Sequence, residues 1–579
     1  MLKLFVFLKP FRPTVTLVLV LALAQSLASL YLPRLMADIV DHGIVPGDTR
    51  QIIIYGGLML LMALVSTAAS VGSSFFSAKV ASGFGRDVRN QIFDRVAHFS
   101  VHQFDRFSTA SLITRTTNDT TQVQQVLIMM MTMVITAPMM AIGGIILSLS
   151  QDTRLARVLI AVIPILGVIF FLIMRKAVPL FQLMQVKIDR LNLVLDEGLT
   201  GVRVIRAFDR NAHQSRRFDA ANLDLTGNAI AVNRLVSMLM PAMFLMMNLT
   251  GVSIIYVGAL RIDAGQMHVG AMLASLQYAI QILFSVFMVT AMFVMLPRAE
   301  ASADRINAVL DVIPEVNDSS SAKATEDKPG VHRATVEFQN VSFQYPGAEE
   351  PALSGVSFVA KPGEVTAIIG GTGSGKSTLA GLIPRFYDVN GGRVLVDGVD
   401  VRDMRQEDLR AKIGYVPQKA VLFSGTITSN IRFGRETATD DEVKKAAAVA
   451  QAAEFVDQKT EGYAAPVSQG GTNLSGGQKQ RLAIARALVR DTEIYVFDDS
   501  FSALDFATDA KLRAALRAET TAATVFIVSQ RIGTVMNADR IVVLDEGRVA
   551  GIGTHADLLK TCAVYREIAE SQATLEEVA

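Results

Sequence analysis

The sequence predicts two unlike halves: a membrane all-α domain of six transmembrane helices with long cytoplasmic extensions, then an α/β domain of the P-loop type. Three observations carry that expectation. Six long runs without a charged side chain end before Arg298. The chain then turns polar, and from about Val336 short β-rich runs alternate with helical ones. One of those runs enters Gly370–Thr378, "GGTGSGKST", a glycine-rich loop of fixed spacing. The expected division is 1–313 for the membrane part, 314–333 for a linker and 334–579 for the α/β part.

Composition limits what such a chain can be. At 579 residues it exceeds one ordinary domain. It is 51% hydrophobic and 19% charged, with a mean hydropathy of +0.37. Its 55 basic and 54 acidic residues leave a net charge of +1, so no global field points to nucleic acid as a partner. The single cysteine, Cys562, excludes a disulfide framework and a thiolate metal site.

The uncharged runs are Thr14–Leu32, Ile52–Ala78, Val126–Leu149, Val158–Met174, Leu235–Leu260 and Val269–Pro297. At about 17 to 29 residues, each can cross a hydrocarbon core of about 30 Å as a helix. The first is expected to be a span and not a cleaved leader, because Pro33, Arg34 and Asp38 follow it without an Ala-x-Ala site. Lys3, Lys9 and Arg12 precede it. Lys79, Arg86, Arg89, Arg95, Arg106 and Arg115 lie between the second and third spans. A denser basic set, Arg175 and Lys176 through Arg234, lies between the fourth and fifth. The positive-inside bias places both long connections, both termini and the α/β domain in the cytoplasm. The lipid bilayer is the first expected partner, and the expected location is the cell (inner) membrane.

Those connections, about 79–125 and 175–234, lack the composition of a flexible linker. Segments such as "RDVRNQIFDRVAHF" set apolar residues at helical spacing. At about 1.5 Å per residue they are expected to continue the membrane helices tens of Å beyond the bilayer. Within the spans, Met clusters at 129–140 and 238–247 can adapt to varied apolar ligands or serve as packing filler. Gln277, Gln281 and Asn248 can offer hydrogen bonds to a substrate or to a neighbouring helix. The absence of charge in the spans argues against ion-pair recognition and against a proton relay through this chain.

After Pro297, "RAEASADRINAVLDVI" reads as a helix and "PEVNDSSSAKATEDKPG" as a polar linker. The strand "EVTAII" then enters Gly370, Gly371, Thr372, Gly373, Ser374, Gly375, Lys376, Ser377 and Thr378. Glycines at this spacing let consecutive backbone N–H groups curl around phosphates. Lys376 is expected to reach the β- and γ-phosphates, and the Ser377 hydroxyl to ligate Mg²⁺. "EIYVFDD" is a strand ending in two acids. Asp498 is expected to hold the Mg²⁺ shell, and Asp499 to stand where an attacking water is polarised. ATP and Mg²⁺ are thus the expected ligands.

"NLSGGQKQR" at Asn473–Arg481 narrows the field. Six spans followed by the P-loop, LSGGQ and paired acids resemble a half-transporter of the ATP-binding cassette superfamily, exporter type. The resemblance covers essentially the whole chain. It implies that Tyr345 in "FQYPG" stacks on adenine. It implies that Gln418 in "YVPQKAVLFSGTI" meets the metal and the membrane helices, with a catalytic part beside Asp499. It implies that Asp505 closes a D-loop "SALD". "HQFDRFSTASLITRTTND" and "EGLTGVRVIRAFDRN" resemble the two connections whose short coupling helices dock on nucleotide domains. In this family ATP sits between the P-loop of one domain and the LSGGQ of another. One copy of each implies a dimer, with Leu474, Ser475, Gly476, Gly477 and Gln478 serving the partner's nucleotide.

Three positions depart from the family pattern. The catalytic Glu is replaced by Asp499, the switch His by Gln530 in "VFIVSQRIGTV", and the segment before the signature reads "SQGG". Asp is one methylene shorter than Glu, and a misplacement on the order of 1 Å can cost about a hundredfold in rate. Gln530 can hydrogen-bond a γ-phosphate but cannot carry charge or relay a proton as His can. The combination resembles the subunit of heterodimeric bacterial exporters, multidrug-type among them, that holds the degenerate ATP site. The expected function is ATP-driven export of a hydrophobic or amphipathic small molecule, lipid or peptide, with a second half-transporter as partner. A homodimer with two slow sites and an ATP-sensing regulatory subunit are the alternatives.

Overall fold

The computed structural model describes residues 1–316 and 334–576, so the predicted linker lies outside the described residues except for its first three positions. Six helical segments are long and apolar enough to cross a membrane, as the sequence predicts. Contacts group the chain into two compact units. One comprises Met1–Val96 and Ala110–Val312; the other comprises Ala97–Thr109 and Ile313–Ala579.

The first unit is all-helical. Its main elements are α1 (Arg12–Asp38), α2 (Thr49–Ala97), α4 (Thr109–Thr114), α5 (Thr120–Gln151), α6 (Thr153–Thr200), α7 (Val202–Ala207), α8 (Asn211–Ser237), α9 (Leu239–Asp263) and α10 (Val269–Leu310). The short helix α3 (Val101–Phe107) follows α2 and falls in the other unit. α2 has 49 residues and α6 has 48. At about 1.5 Å per residue each is about 70 Å long, more than twice the thickness of a hydrocarbon core. The predicted continuation of the spans into long extensions is therefore present. Short helices, α3 and α7, stand at the two turning points.

One predicted run is broken. Leu235–Leu260 divides at Met238, between α8 and α9. Pro241 has no N–H to donate to the Ser237 carbonyl, and it is tolerated only in the first turn of the new helix.

Leu30, Leu155, Leu159, Ile254, Ala274, Tyr278 and Ile282 form one buried cluster among α1, α6, α9 and α10. The short loops are pinned by carboxylates. Asp152 caps α6 by accepting from Arg154 N and Leu155 N, and its other oxygen pairs with Arg261 at 2.8 Å. Asp41 Oδ1 accepts from Gly270 N at 2.7 Å, joining the ends of α1 and α10. In the long extensions, Arg305 of α10 grips the buried Asp119 with two donors, and Arg115 Nη1 donates to Arg305 O at 2.8 Å. Two polar residues of the spans bond to helix backbone: Asn248 Nδ2 donates to Phe244 O of its own helix, and Gln281 Nε2 to Ser29 O of α1. Gln277 is exposed.

The second unit is α/β. Its strands are β1 (Val336–Phe343), β2 (Leu353–Ala360), β3 (Val365–Gly370), β4 (Gly391–Val396), β5 (Val399–Asp400), β6 (Ile413–Val416), β7 (Gly425–Thr426), β8 (Pro466–Val467), β9 (Ile494–Asp498), β10 (Thr524–Val528), β11 (Arg540–Asp545) and β12 (Arg548–Gly553). The main sheet has the order β12-β11-β3-β10-β9-β6, with all neighbours parallel except β11 and β12. Its central strands are mostly apolar and buried along almost their whole length, as two covered faces require. The register sets Val528 beside both Ile368 and Asp498. The ends of β3, β10 and β9 therefore emerge side by side. α3 packs into this unit: Ser100 and Gln103 close its first turn as a capping box, and Gln103 Nε2 donates to Ile313 O at 2.8 Å.

Candidate nucleotide site

The edge where β3, β9 and β10 end collects the predicted phosphate-handling residues. Gly373 and Gly375 have φ of +84° and +92°, which only glycine adopts freely, and they turn the loop from β3 into α11 (Lys376–Leu382). A Cβ at Gly370 would stand 2.1 Å from Leu544 O. The Ser374 hydroxyl is buried and has no hydrogen-bond partner among the described residues.

Lys376 folds over this loop, donating from Nζ to Gly370 O at 2.9 Å and Gly371 O at 2.6 Å. Burial pushes its pKa down, against the opposing pull of the Asp499 and Asp498 charges. Ser377 Oγ donates to Asp498 Oδ1 at 2.9 Å. Asp498 is 4% exposed, and burial raises its pKa despite the bonds from Ser377 and Tyr415. The second oxygen of Asp498 accepts from the Tyr415 hydroxyl at 3.4 Å. Burial, with the Asp498 charge beside it, pushes the Tyr415 phenol up. Sequence reading missed Tyr415, because only the pairing of β6 with β9 brings it to the acid.

Asp499 leaves β9 in the left-handed region at φ +45°, a conformation that Asp and Asn tolerate better than most residues. Its N–H donates to Val528 O at 3.0 Å, and its Oδ2 accepts from Gln418 Nε2 at 3.2 Å. Gln418 and Asp499 are thus in direct contact. Gln530, two residues beyond β10, is exposed. Tyr345 packs edge-on against Phe343 and Tyr387, with centroids 4.9 and 5.5 Å away, and its hydroxyl bonds Thr378 Oγ1 at 3.0 Å.

The signature residues form a separate feature of the same unit. Leu474 is buried in the core. Ser475 caps the helix Gly476–Leu488: its Oγ accepts from Gln478 N, and Gln478 Oε1 accepts from Ser475 N. Among the described residues no hydrogen bond joins Leu474–Gln478 to the loop Gly370–Thr378. Asp505 caps the helix Phe506–Glu519, accepting from Thr508 N at 2.9 Å, which also lowers its pKa. In "SQGG", Gly470 and Gly471 both have φ near +65°, at +65° and +64°, so glycine there meets a backbone demand.

Comparisons with known proteins agree with this anatomy. Residues 15–286 match the family model described as ABC transporter transmembrane region, and residues 353–502 match the one described as ABC transporter. An uncharacterized ABC transporter ATP-binding protein of Mycobacterium tuberculosis is 43% identical over 568 residues, covering 98% of this chain and 97% of that protein. The ATP-dependent lipid A-core flippase of Chromobacterium violaceum is 30% identical, covering 94% of this chain and 93% of its own. A bacterial Atm1-family ABC exporter with ATP bound is similar in structure, with a TM-score of 0.79 and 26% identity over 98% of each chain. The chain belongs to the ABC transporter family, as a multi-pass exporter half-transporter whose nucleotide-binding domain binds ATP and couples its hydrolysis to transport.

Proposed function

We propose that the chain is one half of a heterodimeric exporter, holding a slow ATP site of its own and lending an intact signature to its partner's site. The observation that carries this reading is the pairing of two deviant residues, Asp499 and Gln530, with an unaltered Ser475–Gln478 in one domain. The domain plan is 1–313 for the membrane part, 314–333 for the linker and 334–579 for the cytoplasmic nucleotide-binding domain.

The residues present fit a magnesium nucleotide. The cradle at Gly370 excludes a side chain, Ser374 has an unused buried hydroxyl, and Ser377, Asp498 and Gln418 offer the hard oxygen donors that Mg²⁺ takes. On binding, Lys376 exchanges the two loop carbonyls for phosphate oxygens, and Tyr345 offers its ring to adenine. Magnesium would neutralise phosphate charge. The chain's own residues hold and orient: Ser377 and Asp498 fix the cation side, Gln418 steadies Asp499, and Asp499 accepts a hydrogen bond from the water that attacks. One methylene short of Glu, and with a neutral Gln530 in place of the switch His, that carboxylate polarises water poorly.

The spans carry no charge, which favours a hydrophobic or amphipathic substrate. The relative named for lipid A-core supports such a cargo. The reading is tested by ATPase assays of the purified chain, alone and assembled with a second half-transporter bearing Glu and His at the deviant positions. Low turnover alone and restored turnover in the pair are expected. Vigorous turnover of the chain alone would replace this reading with the homodimer.

A further inference from the structure

The loop that carries Gln530 is short, and a residue from outside the site holds it. Ser529 N donates to Ile368 O at 3.1 Å, and Arg531 N to Ser529 Oγ at 3.0 Å. Two more of its backbone groups are taken by one side chain, that of Gln572. Its Nε2 donates to Gln530 O at 2.7 Å, and its Oε1 accepts from Ile532 N at 2.8 Å. The amide thus brackets the loop from both sides with both of its polar atoms.

Gln572 lies on the helix Ala563–Glu576, which is firmly anchored. Tyr565 of that helix is fully buried against Ile541, Val543 and Leu558, and its hydroxyl bonds His555 Nδ1 at 2.8 Å. Ile568 and Ile532 pack on the same cluster. From the clamped loop, Arg531 Nη2 donates to Ser502 O at 3.0 Å, and its guanidinium stands 5.6 Å from the Phe506 ring. Contact therefore runs from the helix, through the loop, to the segment that ends in Asp505.

We propose that Gln572 is a positioning residue for the ATPase reaction: it holds the Gln530 loop at the height where Gln530 reaches the γ-phosphate. The inference rests on the reading of Gln530 as the switch residue. Among the described residues no hydrogen bond holds the Gln530 side chain, so it can adopt many directions, and the placement of its Cα matters more than it would for a residue fixed by charge.

The test uses the assembled transporter and a photoactivatable ATP analogue, with labelling of this chain measured before and after vanadate trapping. Gln572→Met keeps the length of the side chain and removes both bonds. Gln572→Glu keeps the acceptor for Ile532 N but has no N–H for Gln530 O. Both are expected to lower trapped label about fivefold, a fraction of what displacement by on the order of 1 Å can cost. Untrapped labelling and melting temperature stay unchanged. In a Gln530→Ala background, Gln572→Met should lower trapping no further, since the two act as one unit. The proposal is overturned if Gln572→Met traps like the parent while Gln530→Ala does not. It is overturned equally if binding and melting temperature fall in step with trapping, which is the mark of a packing role alone. If Gln530→Ala itself traps like the parent, the switch reading fails and the clamp fails with it.

Discussion

Two ends of the α/β unit treat their polar groups differently. At the edge of the main sheet, Lys376, Ser377, Asp498, Tyr415, Gln418 and Asp499 bond to the loop or to one another, and a ligand that engages them must exchange those bonds for its own. At the start of the helix Gly476–Leu488, Ser475 and Gln478 close the first turn between themselves. Gly476 there has nothing within 4 Å of where a Cβ would stand. The first is a partly buried charge network that works by rearranging. The second is a rigid, open end that offers its groups outward. Substitution at the first edge can therefore be graded, whereas damage at the second blocks an approach.

The largest effect expected is at the open end. Ser475→Arg should lower ATPase of the assembled transporter about a hundredfold, the cost of losing donors to a transition-state charge. It also removes a helix cap worth about 1 kcal/mol. Ser475→Asp separates the two losses, because Asp caps well but repels phosphate. Turnover should collapse while the melting temperature holds, and a variant that kept its turnover would refute the outward role of this end.

At the sheet edge, in the chain purified alone, Asp499→Glu with Gln530→His should raise turnover about tenfold, more than the sum of the single changes, since both act on one phosphate. Additive single effects in a steady-state assay would show that the two do not share a task. Lys376→Ala should lower ATP affinity several-fold and turnover by less, because on the proposed reading it removes a donor to the β- and γ-phosphates at a slow site. Equilibrium binding of a labelled nucleotide checks it. Asp499→Asn should be the mildest, within about twofold of the parent, since Asn tolerates the same positive φ and the proposed reading rests little turnover on that carboxylate. Were it as damaging as Ser475→Arg, the contrast between the two ends would vanish.

Most of the fold was legible because its signals are local. Uncharged runs gave the spans, and Gly373 and Gly375 announced a loop that only glycine can turn. Contacts that depend on long-range pairing were not. Tyr415 meets Asp498 across 83 positions and Gln572 meets Gln530 across 42, with no motif to mark either. The capping roles of Ser475 and Asp505 were hidden beneath their family roles, because one oxygen can close a helix in one chain and face a ligand of another. The break at Met238 was in principle readable from Pro241, but hydropathy runs through it unchanged.

The two longest helices differ in stiffness. α2 runs 49 residues with no proline, whereas α6 contains Pro164 and Pro179. Each proline deletes one rung of the hydrogen-bond ladder and opens a compliant point. A bending load shared by two beams concentrates its strain in the softer one. A tilt of about 10° over a rod of about 70 Å sweeps its far end through on the order of 12 Å. α2 is thus suited to carry a rotation without loss, and α6 to absorb the mismatch that such a rotation creates. Any bend of α6 under such a load is then expected at Pro164 and Pro179, two ring-closed residues of an otherwise continuous rod.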